Sequence, residues 1–167
     1  LAKRAAWDPL SDPDMQCMPK GMPAVMVTPH PFTFSQDGAN IRILAHEYSV
    51  ERIIHIEDAG DPEDAPPSRA GYSVGHWEGD TLVFDTVSLH SSDEGRTILD
   101  RTGLYLSDAA HIVTRMRKLD DETMEARMTI EDHNALTALW VVTKTYRKLE
   151  QGTRVYDYAC AGNNRNP

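Results

Sequence analysis

The sequence predicts an all-β fold, an antiparallel meander closing into a lipocalin-like barrel, with a two-sheet β-sandwich as the alternative. Three observations carry that expectation. Runs of alternating apolar and polar residues recur between residues 32 and 158, the period of a half-buried strand. Turn signals such as Asp37-Gly38 and Glu78-Gly79-Asp80 separate them. No stretch shows the spacing of an amphipathic helix. About nine strands emerge, and a meander of that number must close or pair its edges.

Residues 1–31 read as an irregular segment. Asp8-Pro9, Asp12-Pro13, Met18-Pro19, Met22-Pro23 and Thr28-Pro29 repeat an X-Pro punctuation that opposes regular helix and central strand. This segment is expected to wrap the outside of the barrel, pinned by Trp7 and Cys17. A single barrel domain is expected over 32–160, with a tail over 161–167. Strands are predicted at 31–36, 41–48 and 52–57. An acidic, proline-bearing loop follows at 58–70.

The hairpin at 71–88 is the strongest local signal. Trp77 and Leu82-Val83-Phe84 supply apolar bulk on either side of a turn that needs Gly79. Residues 89–109 read as a long loop. Strands at 111–117 and 124–131 flank the turn Asp120-Asp121-Glu122. Their alternation puts Ile112, Met116, Met124, Ala126, Met128 and Ile130 on one face. Arg115, Arg117, Glu125, Arg127 and Glu131 fall on the other. Strands at 140–148 and 153–158, with Gly152 between them, are expected to close the barrel.

Composition narrows the function classes. The chain has 167 residues, enough for one domain with its own core. A net charge of −9 argues against nucleic acid and anionic lipid as partners. The longest apolar run, near 81–89, is too short to span a bilayer as a helix. Leu1 in place of methionine reads as the start of a mature or trimmed chain. The two cysteines, Cys17 and Cys160, stand near opposite ends. They read either as a disulfide staple, implying an oxidising compartment, or as two unrelated buried thiols.

Several motifs bear on chemistry. Gly71-Tyr72-Ser73-Val74-Gly75 matches G-x-S-x-G, but a nucleophile elbow needs a helix after the serine and a hairpin follows here. None of the seven histidines forms an H-x-H or H-E-x-x-H pair, so no metal is expected. No glycine-rich phosphate loop opens a helix, so no organic cofactor is expected either. Acid–base chemistry asks for less. His55 and His111 are candidate proton carriers, Asp85 and Glu47 candidate orienting carboxylates, and Arg115 a candidate oxyanion holder. Asp85 stands out as a carboxylate inside an apolar strand, on the face of Val83 and Val87 and opposite Leu82, Phe84 and Thr86. Tyr48, Tyr72, Tyr105 and Trp140 are candidate substrate-lining aromatics, though core packing accounts for each equally well.

The segment Gly71-x-Ser73-x-Gly75-x-Trp77-Glu78-Gly79-Asp80-Thr81-Leu82-Val83-x-Asp85-Thr86 resembles the signature of a group of small secreted bacterial proteins, which runs GHSIGRWEGDTLVVDT. Further matches are Cys17-x-Pro19-x-Gly21-x-Pro23, Ser107-Asp108-x-x-His111-x-Val113-x-Arg115, Thr129-Ile130-Glu131-Asp132, Trp140 and Tyr158-Ala159-Cys160 with Asn163-Asn164 beyond. The resemblance implies export, to the periplasm or outside the cell, and no particular reaction. The chain departs from the group where Glu57-Asp58-Ala59-Gly60-Asp61-Pro62 replaces a DGR-x-HP segment, and at His76 and Phe84.

Three expectations of function follow. The first is a cofactor-independent acid–base enzyme, of lyase, isomerase, dehydratase or cyclase type, acting on a small apolar or aromatic metabolite. The second is a lipocalin-like extracytoplasmic binding protein for a small hydrophobic ligand. An accessory protein binding through its anionic surface is a third. Homodimerisation is compatible with each.

Overall fold

The computed structural model describes residues 8, 10, 12–57, 59–90 and 104–158. Trp7, Cys160, residues 91–103 of the expected long loop and the 161–167 tail lie outside them.

Alternation becomes eight strands: β1 (Phe32–Asp37), β2 (Asn40–Ala45), β3 (Val50–His55), β4 (Tyr72–Glu78), β5 (Thr81–Val87), β6 (His111–Lys118), β7 (Thr123–Glu131) and β8 (Trp140–Arg147). They form one sheet in chain order. Gly38 and Gly79 take left-handed φ of 62° and 58° in the β1–β2 and β4–β5 turns, as tight hairpins require. The β6–β7 hairpin keeps its predicted faces. Ile112, Met116, Ala126, Met128 and Ile130 are buried, and the cross-strand pair Arg117–Glu125 forms an ion pair at 3.3 Å.

The expected closure fails. The sheet is open and strongly curled, a half-barrel whose edge strands β1 and β8 lie 9 Å apart, and it is neither a closed lipocalin barrel nor a two-sheet sandwich. The reason lies in residues 153–158, which were needed as a ninth strand. They form no strand. Tyr158 instead bridges to Glu47 at the end of β2, its N–H bonding the His46 carbonyl at 2.7 Å. Among the described residues no strand pairs β1 with β8. The meander is also interrupted, because β3 and β4 run parallel over only two residue pairs, Ile54↔Ser73 and His55↔Val74. The 56–71 connection is long enough to return the chain to the same end of the sheet, as a parallel pair demands.

The N-terminal segment also departs from expectation. Rather than wrapping the outside, residues 22–26 enter the core. Met22, Val25 and Met26 are almost fully buried in the same cluster as Ile43, Ile54, Phe84, Ile112, Met128 and Ile130. Each such side chain contributes roughly 1.5–3 kcal/mol of burial. The plug is tied on two sides. Met22 N–H donates to the Arg69 carbonyl at 2.9 Å, and the Tyr146 hydroxyl on β8 donates to the Met26 carbonyl at 2.8 Å. Among the described residues there is no cysteine pair. Cys17 is not a free thiol and Cys160 lies outside, so the expected staple is not part of the described structure.

The inner face tolerates little added volume where β4 passes β3 and β5. A Cβ on Gly75 would stand 2.9 Å from Ile54 Cγ2, Phe84 Cβ and the Val83 carbonyl oxygen. Two of these are fixed by the ladder, so Gly75→Ala is expected to destabilise the fold by roughly 1–3 kcal/mol in urea unfolding. An unchanged midpoint would mean that the β3–β4 seam is looser than described.

Candidate functional site

The sheet leaves a gap between β1 and β8. A groove of about 910 Å³ occupies it. The 28–31 segment closes one side and the β6–β7 turn leans over another. Its floor follows from alternation. Phe32 and Phe34 are the inward residues of β1, and Tyr146 is inward on β8. Tyr146 meets Phe32 edge-on at 5.5 Å and Phe34 at 6.0 Å between ring centroids, so aromatic contact replaces the missing hydrogen-bond ladder. Met124 completes the apolar floor. The rim is charged, with Lys118, Lys144, Arg147 and Lys148 facing Asp120, Asp121 and Glu122. Lys148 pairs with Glu122 at 3.3 Å, and Lys144 donates to the Val27 carbonyl at 3.3 Å. Burial pushes the Tyr146 phenol up, so it is a neutral donor at physiological pH.

Beyond Tyr146 the inner face holds an unusual cation. Arg52 on β3 is 4% exposed. Its Nη2 donates to Ser73 Oγ at 3.0 Å and to Thr86 Oγ1 at 3.2 Å, and its guanidinium lies 5.6 Å from the Phe84 ring centroid. Among the described residues its Nε and Nη1 find no hydrogen-bond partner and no carboxylate pairs with it. Burial pulls its pKa down to about 10, which still leaves a cation at neutral pH. An unpaired buried charge of this kind is strongly unfavourable.

The residues singled out from sequence sit elsewhere. None of them lines the groove. Asp85 and His111 do come together, His111 Nε2 lying 2.6 Å from Asp85 Oδ1. They stand on the convex face, with side chains 47% and 41% exposed, because Phe84, Thr86 and Ile112 take the inward positions. His55 is on the same face and stacks on Tyr72 at 4.7 Å, while the Tyr72 hydroxyl accepts from Gly60 N–H. Arg115 is also convex and binds Glu78 at 2.7 Å.

Glu47 is apart from these, buried at one end of the sheet with His30 at 3.4 Å and Lys20 at 4.0 Å. Tyr48 packs edge-on against Tyr158 there. Trp140 is exposed at the start of β8, and Tyr105 is half-buried. No group of three or more His, Cys, Asp or Glu side chains suited to a metal occurs among the described residues.

Sequence reasoning missed the groove residues and Arg52. For Arg52 a signal was present, since period-2 alternation puts it on the face of Val50 and the fully buried Ile54.

No family model, curated protein or solved structure matches this chain. Its function is therefore read from the site alone.

One electrostatic feature of the convex face is open to direct measurement. Hydrogen bonds from Arg115, and secondarily from His76, hold the Glu78 carboxyl below its ordinary range. A depressed carboxyl pKa contributes stability above the unfolded value and loses it as pH falls through the folded one. Arg115→Ala is expected to move the Glu78 titration, followed by carboxyl-carbon NMR, back up toward ordinary glutamate. A midpoint that stays in place would remove Arg115 as the cause.

Proposed function

We propose that this protein binds a small hydrophobic molecule in the β1–β8 groove and acts as a carrier or receptor for it. The observation that carries the reading is the groove itself. It combines an apolar, aromatic floor with a polar rim at the one place where the curled sheet does not pair with itself. Small-molecule sites have this make-up, mostly apolar walls with a few polar groups at fixed positions. The His111–Asp85 pair lies on the opposite face of the sheet, which separates it from any ligand held in the groove. The resemblance of residues 71–86 to an exported bacterial group supports an extracytoplasmic setting for this carrier. No described helix is long and apolar enough to cross a membrane.

The test is a fluorescence titration with the neutral hydrophobic fluorophore N-phenyl-1-naphthylamine. Phe34→Ala and Tyr146→Ala each remove aromatic floor and are expected to weaken binding about tenfold. His111→Ala, on the convex face, is expected to leave binding unchanged. Absence of binding, or equal loss in all three variants, would overturn the reading.

A further inference from the structure

We infer that the ligand is a hydrophobic monocarboxylic acid whose carboxylate is received by Arg52 on the inner face of the sheet. This rests on the carrier reading and names the ligand class for the same site. A guanidinium carries five N–H donors. The two on Nη2 are used by Ser73 and Thr86, and those on Nε and Nη1 have no acceptor among the described residues. A buried cation with idle donors is complete only with an anion beside it.

The charge count selects the anion. Arg52 brings one positive charge, and no acidic side chain among the described residues pairs with it. A monoanion neutralises the site, whereas a phosphate dianion would leave an uncompensated negative charge. Guanidinium and carboxylate also form strong charge-assisted hydrogen bonds. Tyr146 connects the two parts of the site. It lines the groove and packs against the core cluster that holds Phe84, the ring over which the Arg52 guanidinium lies. A ligand would therefore rest its apolar body on Phe32, Phe34 and Met124 and direct its carboxylate past Tyr146.

Ser73 and Thr86 bond each other at 2.9 Å. Arg52→Met therefore leaves no new unpaired hydroxyl and is expected to remain folded, with the β3–β4 seam less tightly tied. The experiment is displacement of N-phenyl-1-naphthylamine by decanoate and by methyl decanoate, in the parent protein and in Arg52→Met. Decanoate is expected to displace the fluorophore at least about tenfold more strongly than the ester, and Arg52→Met to abolish that difference. In the parent protein, decanoate is also expected to shift the Arg52 Nε–Hε NMR resonance, a readout that needs no variant.

If acid and ester compete equally and the Arg52 resonance stays still, this inference falls while the carrier reading stands. If the fluorophore does not bind and neither compound perturbs the protein, both fall.

Discussion

The Arg52 guanidinium is the interaction on which the arrangement turns. It starts on β3 and ends on hydroxyls of β4 and β5, above the Phe84 ring. That reach crosses the weakest part of the ladder, where β3 and β4 share two residue pairs. The three-stranded β1–β3 unit and the five-stranded β4–β8 unit are thus joined inside the core by a cation. The Phe84 ring beneath it belongs to the same buried cluster as Ile54 and the Met22–Met26 plug. Hydrophobic burial is non-directional and would permit several angles between the two units. Hydrogen bonds from one guanidinium to two hydroxyls on separate strands do not. The same residue is the one buried cation among the described residues, and no carboxylate there pairs with it, so the feature that sets the geometry also leaves an electrostatic deficit.

Much of the fold was legible in the sequence, because a strand is a local object. Alternation in Ile112 to Met116 and in Met124 to Ile130 reports burial on one face, and the structure buries that face. Asp37-Gly38 and Glu78-Gly79-Asp80 marked turns that do take left-handed φ at the glycines. Closure is different, because it depends on where the last segment goes. Residues 153–158 carry alternating bulk like a strand, yet Tyr158 finds its backbone partners at His46 and Tyr48. The N-terminal plug was illegible for a related reason. Prolines forbid regular structure in residues 12–31, but irregular backbone can still be buried when its groups find partners. Here Arg69 and Tyr146 supply them.

The candidate site was less legible, and the contrast between Asp85 and Arg52 shows why. Each is a charge inside an apolar strand, and each attracts suspicion on the same physical ground. Alternation states that Asp85 opposes Phe84 and that Arg52 accompanies Ile54. Which face turns inward is settled only by neighbouring strands. Asp85 faces out and finds His111 at 2.6 Å. Arg52 faces in and finds only hydroxyls. The groove was harder still, since Phe32, Phe34 and Tyr146 come from opposite ends of the chain and meet only because the sheet curls.

The open edge has a mechanical consequence. Around the curl, six strand interfaces carry antiparallel ladders, one carries two parallel pairs, and across the β1–β8 gap aromatic rings meet without a ladder. The backbone ladder is thinnest in those last two places. At the β3–β4 seam Arg52 supplies a further tie, whereas across the β1–β8 gap Phe32, Phe34 and Tyr146 meet through their side chains. A substitution there reshapes the cavity while leaving every ladder intact.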